Sequence, residues 1–153
     1  MRKAKAVSES ETILSEVMMP VDANHYGSVH GGTILKLADE AALVAAVRHA
    51  RKNVVLASMD HILFECPVNI GDILTIRARL CYVGRSSMDV EVEVKTEKLK
   101  EGKVLHVGSA YLTMVALDEK GNSTRVPGLI LRTKGEKLKS KNAIARRKSR
   151  LTK

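Results

Sequence analysis

The chain has 153 residues and a mass of 16.8 kDa, the size of one ordinary domain, so separate cofactor and substrate domains are excluded. Apolar residues make up 44% and charged residues 28%, enough to fill one core, which excludes disordered and fibrous classes. The net charge of +9 is confined to one end: residues 132–153 hold ten Lys or Arg against the single acid Glu136, while the preceding 131 residues balance 16 basic against 16 acidic groups.

That division predicts a folded domain over residues 1–131 and a basic extension over 132–153, solvated and solubilising, with anion or partner binding as the minor alternative. Four aromatic residues (Tyr26, Phe64, Tyr82, Tyr111) and no Trp leave little for base stacking, so nucleic acid is not an expected partner. Cys66 and Cys81 lack the spacing of a disulfide framework or a metal site. The N-terminus has no signal-peptide apolar run, and the longest apolar stretch, 33–47, is broken by Lys36, Asp39 and Glu40. A cytoplasmic protein with no membrane partner is expected.

In chain order, residues 11–18 read as a short strand closed by Pro20, and 21–32 (VDANHYGSVHGG) as an irregular loop. Residues 33–50 form a helix apolar nearly all round. A strand over 54–65, ended by Pro67, and a turn at 69–72 follow. Residues 73–83 alternate, with Leu74, Ile76, Ala78 and Leu80 on one face. Past a break at 84–87, Met88, Val90, Val92 and Val94 alternate with Asp89, Glu91, Glu93 and Lys95, a half-buried strand with one wet face. A turn at Glu101 and Gly102 leads into a central strand over 103–117 and a last turn at 118–121. The pattern is α+β: one long helix packed on a curved antiparallel meander, with too few polar helix positions for one sheet to cover, so a subunit partner is expected.

Asp39 lies among Leu35, Leu37, Ala38, Ala42 and Leu43. A carboxylate there needs a compensating partner, and such settings hold general bases and nucleophiles; the plainer reading pairs it with Lys36 or places it on a solvent strip beside Glu40. His30, Gly31 and Gly32 precede the helix, where free N–H groups could polarise a carbonyl oxygen, or where the glycines merely permit a tight turn. Gly32 and Asp39 share a face but stand about 10 Å apart along the axis. If both serve one reaction, Asp39 of one subunit must reach the helix start of another. Asn24 could orient water or a carbonyl, or form a turn. His25 and His30 read as loop residues, and His49, His61 and His106 as structural. Gly84, Arg85, Ser86 and Ser87 could hold a phosphate or simply close a hairpin.

The segments VMMPVDANHYGSVHGGTILKLADEAALVAAVRH, VVLASMDHILFECPVNIGDIL and VGRSSMDVEVEV, in that order, resemble the hotdog-fold acyl-CoA thioesterases of the cytosolic acyl-CoA hydrolase branch. The resemblance runs from about Ile13 to Leu117 and implies a hotdog fold, dimers joined sheet edge to sheet edge, trimers of such dimers (a hexamer), and active sites between subunits. It implies Asp39 as the catalytic general base or nucleophile, Asn24 from the opposite subunit as its partner, Gly31 and Gly32 as oxyanion contacts, and Gly84, Arg85, Ser86 and Ser87 along the coenzyme A groove. The implied reaction hydrolyses acyl-CoA to a free carboxylic or fatty acid and coenzyme A, with no cofactor and no metal. The alternatives are a hotdog hydratase or dehydratase and a non-catalytic acyl-CoA-binding or nucleic-acid-associated protein.

Overall fold

The computed structural model describes residues 3–60 and 62–151. Its elements are β1 (Lys5–Ala6), β2 (Thr12–Val17), α1 (Gly31–Ala50), β3 (Asn53–Asp60), β4 (Ile73–Val83), β5 (Ser87–Lys98), β6 (Lys103–Leu117), β7 (Leu129–Ile130) and α2 (Lys134–Leu151). Short 3-10 turns lie at Val7–Glu9 and Pro20–Asp22. β1 and β7 pair in parallel, and the other five strands form an antiparallel sheet in the order β2-β4-β5-β6-β3.

The α+β arrangement matches the expectation, but the strands after the helix are not a simple meander. β2 pairs with β4 at one edge and β3 with β6 at the other, so α1 carries the chain across the sheet. The strand expected over 54–65 ends at Asp60, opposite Tyr111. Beyond it the chain leaves the edge and crosses β6, where the Glu65 N–H donates to the Val107 carbonyl at 2.8 Å. Gly108 permits the crossing: a Cβ there would stand 2.6 Å from the Leu63 carbonyl oxygen.

The core lies between α1 and one face of the sheet. Ala38, Ala41, Ala42, Ala45 and Ala46 are fully buried, and their small size lets the helix lie close to the strands. Leu80, Met88, Val90, Val92, Leu112 and Met114 supply the volume from the sheet side. Each large side chain so buried contributes roughly 1.5–3 kcal/mol.

The other face of the sheet is wet only in part, and the basic extension is a helix with one side docked on that face and the other side in solvent. Residues 134–151 form α2, which lies across β4 with Ser140 and Ala143 buried. Arg147 donates to both Asp89 carboxylate oxygens, Nε at 2.8 Å and Nη2 at 2.9 Å, and to Ser87 Oγ at 2.8 Å. Lys139 and Arg79 meet Glu91, and Arg150 meets Asp60 at 3.0 Å. The Arg146 and Arg147 guanidinium groups stand 3.6 and 4.6 Å from the ring centres of Tyr111 and Tyr82. Alternation marks the acids of β5 as facing away from the apolar core, but it does not say whether water or another segment meets them; here the extension meets Asp89 and Glu91, while Glu93 pairs with Lys95 on its own strand.

Candidate active site

α1 starts at Gly31, two residues before the expected boundary, because His30 caps it: His30 Nδ1 accepts the Gly32 N–H at 3.0 Å. His30 is therefore more than a loop histidine, and both glycines belong to the first helical turn. The Gly32 amide is thereby occupied, and a Cβ at that position would lie 3.1 Å from His30 Nδ1. The Gly31 N–H has no acceptor among the described residues. The Phe64 ring covers Gly31 closely enough that a Cβ would contact it at 3.4 Å.

The loop before the helix is held by its neighbour. The Val29 N–H donates to the Val68 carbonyl at 2.7 Å, and Ser28 bridges to Asn69. The turn at 69–72 is in turn fixed by Asp72, whose carboxylate accepts the Asn69 N–H at 2.8 Å, Thr96 Oγ1 at 3.0 Å and Lys98 Nζ. Burial works to raise the Asp72 pKa; the hydrogen bonds from Lys98, Asn69 and Thr96 outweigh it and hold the carboxyl below its usual value. Asn24 sits inside this loop as a turn former. Its Oδ1 accepts the Tyr26 and Ser28 N–H groups at 2.9 and 3.2 Å, and its Nδ2 donates to Ser28 Oγ at 3.0 Å.

Asp39 lies at the border between the buried face of α1 and its exposed flank, which carries Lys36, Glu40 and Leu43. At 100° per residue it is aligned with Gly32 toward the helix start and lies beside Leu43 one turn later. Of the plainer alternative, the pairing with Lys36 is not formed, whereas the place beside exposed Glu40 is: Asp39 has no hydrogen bond or ion pair among the described residues. It is partly buried rather than enclosed.

Residues 84–87 close the β4–β5 hairpin, the Gly84 N–H donating to the Ser87 carbonyl at 2.8 Å. Neighbouring segments brace the turn, with the Ala116 N–H on the Ser86 carbonyl and the Val126 N–H on the Arg85 carbonyl, each at 2.9 Å. The Arg85 side chain is exposed, whereas Ser87 Oγ is taken by Arg147.

One protomer does not bring these parts together. The α1 start lies beside residues 68–69, just before β4 begins, while the 84–87 turn lies past the other end of β4. Ten residue steps of strand separate the two by roughly 33 Å. A concave surface of about 870 Å³ lies at the C-terminal end of α1 between Val47, Arg51, Asn53 and Leu117, away from Asp39. A smaller cavity of about 440 Å³ follows the exposed flank of α1, between Leu37 and Glu40 on the helix and Ile13, Leu74 and Ile76 of β2 and β4. The sequence marks His30 at the helix start but not its capping role, because His is an unusual helix cap; the roles of Phe64 over Gly31 and of Asp72 with Thr96 and Lys98 join segments distant along the chain and have no local signal. His61 lies outside the described residues.

The Thioesterase superfamily matches residues 26–103, about half of the chain. The chain belongs to the thioesterase superfamily. The human cytosolic acyl coenzyme A thioester hydrolase is 37% identical over 133 residues, 86% of this chain and 35% of that protein. An apo-hexameric acyl-CoA thioesterase superposes with a TM-score of 0.94 at 35% identity, over 99% of this chain and 97% of that one. The Staphylococcus aureus acyl-CoA hydrolase, solved with butyryl coenzyme A, coenzyme A and coenzyme A disulfide, gives 0.88 at 36% identity over 97% and 93%. That hydrolase has also been solved with an aspartate, an asparagine or a threonine replaced by alanine. The likeness to the hexameric thioesterase spans nearly the whole chain and so takes in the basic helix of this superfamily member. Among the described residues no group of three or more His, Cys, Asp or Glu is placed to hold a metal ion.

Proposed function

We infer that this protein hydrolyses acyl-CoA thioesters to a free carboxylic acid and coenzyme A, with Asp39 as the reacting carboxylate. The observation that carries this reading is the Asp39 side chain: an unpartnered carboxylate on the central helix of a chain that superposes on a solved acyl-CoA thioesterase along almost its full length. Spacing supports the assignment. The asparagine and aspartate replaced in the S. aureus hydrolase are fifteen positions apart, as are Asn24 and Asp39 here. The replaced threonine follows seventeen positions after that aspartate; at that spacing this chain has Leu56, so Asp39 and Asn24 act here without a hydroxyl at that place.

Hydrolysis adds water across the acyl carbon-sulfur bond. Asp39 either takes a proton from the attacking water or attacks the carbonyl itself, and the thiolate leaves and is protonated as coenzyme A. The developing oxyanion is assigned to the Gly31 N–H at the α1 start, with Gly32 shaping the turn that presents it. The reaction needs only side chains, backbone amides and water. Because Asp39 and the α1 start are offset along one helix, and the turn carrying Arg85 lies at the far end of the sheet, a complete site needs another copy of the chain. A homohexamer, the assembly named for the apo-hexameric relative, supplies one. Arg85, exposed on its braced turn, is the residue assigned to the coenzyme A phosphates, with Gly84, Ser86 and Ser87 shaping that turn. The cytoplasm is the proposed location, supported by the cytosolic human relative.

Following free thiol with acyl-CoA substrates of several chain lengths tests the reading. Turnover should fall by about 10²–10⁴-fold in Asp39→Asn while coenzyme A still binds. Thiol release at the native rate from that variant, or from no substrate at all by the native protein, overturns it.

A further inference from the structure

The guanidinium groups of α2 are directed at the sheet, and the side turned away from the sheet has a composition of its own. At 100° per residue, Lys139, Arg146, Arg147 and Arg150 fall within one sector, where they meet Glu91, Tyr111, Asp89 and Asp60. The opposite sector, about 140° wide, carries Lys134, Lys137, Lys141 and Lys148 together with Leu138, Ile144 and Leu151. All four lysines are exposed and have no ion-pair partner among the described residues. Leu138, Ile144 and Leu151 are 59%, 38% and 85% exposed. The one acid of the helix, Glu136, is turned back onto its start, where its carboxylate accepts the Arg132 and Thr133 N–H groups at 2.7 and 3.1 Å. No negative charge therefore interrupts the lysine row.

We propose that this face of α2 is a peripheral docking surface for an anionic lipid bilayer, with the lysines against headgroups and Leu138, Ile144 and Leu151 entering the interface. Among the described residues no helix is long and apolar enough to cross a membrane, so the contact is with its surface. The proposal departs from the expectation of no membrane partner, which rested on the absence of a spanning segment and on reading the basic extension as merely solubilising. Charge complementarity names the occupant. Four unpaired ammonium groups interleaved with exposed aliphatic side chains suit a surface that is negative outside and greasy beneath. A nucleic acid would be better served by arginine forks and stacked aromatics, and in this helix the arginines nearest the sheet are held by carboxylates and Tyr111. A second copy seated face to face would set lysine against lysine.

The test uses the full chain in its native assembly, sedimented with vesicles of phosphatidylglycerol in phosphatidylcholine and, separately, of phosphatidylcholine alone. Association with the anionic vesicles, weakened by added salt, is expected. Each lysine near such a surface contributes roughly fivefold, so the triple substitution Lys137→Gln, Lys141→Gln, Lys148→Gln should weaken it on the order of a hundredfold. Leu138→Ser with Leu151→Ser should remove the part that resists salt. Because none of these side chains anchors the helix to the sheet, far-ultraviolet dichroism should be unchanged in every variant. The proposal is overturned if anionic vesicles are not bound at low salt, or if the triple variant binds as well as the native chain. It is also overturned if duplex DNA displaces the vesicles and needs the same lysines, or if the triple variant changes the oligomeric state, which makes the face a contact between copies.

Discussion

The two helices lie on opposite faces of one sheet and are held there by different forces. α1 presents alanines to a floor of valine, leucine and methionine, and shape and exclusion of water keep it in place. α2 buries only Ser140 and Ala143 and is held by guanidinium and ammonium groups reaching carboxylates and tyrosine rings. The first kind of contact tolerates small shifts and ignores salt. The second is directional, and its value depends on how far each pair is withdrawn from water. A mostly apolar helix and a mostly basic helix can therefore both belong to the same domain.

Adjacent residues offer the sharpest way to break that contrast, because Met88 faces α1 and Asp89 faces α2. Met88→Ala should cost about 2–5 kcal/mol, equally at low and high salt, since it opens a cavity among apolar neighbours. Asp89→Ala leaves Arg147 without its carboxylate; with that side chain still a quarter exposed, the loss should be nearer 2 kcal/mol. Urea denaturation of both variants at two salt concentrations checks the pair. Equal losses with equal salt response would show that the two faces are held alike.

Cys81 reports on the outer face without unfolding the inner one. Burial beneath α2 is the main reason its thiol is pushed up to about 12, and Arg146 Nη2 stands 4.0 Å from the sulfur. Cys66 is only half-buried. A thiol reagent near neutral pH should therefore modify Cys66 first, and Cys81 only when α2 lifts. In Asp89→Ala the labelling of Cys81 should accelerate by roughly tenfold for each 1.4 kcal/mol lost from docking, and an unchanged rate would mean that α2 does not protect it.

The sequence displayed the inner face well, because period and apolarity are local properties. The α1 core, the alternating strands β4 and β5 and the turns at Gly102 and Gly121, both with positive φ, could be read directly. What escaped involves partners far apart along the chain. Asp89 and Arg147 are 58 residues apart, and nothing local says that they meet. The placement of β3 beside β6 depends on how α1 crosses the sheet, and the end of β3 at Asp60 on a crossing that only Gly108 admits. At the candidate site, Asp39 and the glycines were legible as chemistry in an unusual setting. The occupation of the Gly32 amide by His30 was not, because a helix cap is recognised from Asn, Asp, Ser or Thr.

The smallest effect concerns pH, and it separates two anchors that both serve α1. His49 is fully buried near the end of α1, where its Nε2–H donates to the Pro127 carbonyl at 2.8 Å. Nδ1 is buried without a partner. Burial is the main reason its pKa is lowered, so the folded protein holds the ring neutral. On acidification the unfolded chain takes up this proton first, at its ordinary value of about 6.5, and the folded state then loses stability as pH falls. Asp72 is also held below its ordinary value, but as an acid: its contribution is complete above about pH 4 and disappears as pH falls through the folded-state value. Stability should therefore decline in two stages, His49 first and Asp72 later, each with a slope of at most about 1.4 kcal/mol per pH unit. Denaturation midpoints from pH 8 to pH 4 would show the first stage in the native chain and its loss in His49→Gln, even if that variant is less stable throughout. If the first stage persists in the variant, the proton is taken up elsewhere.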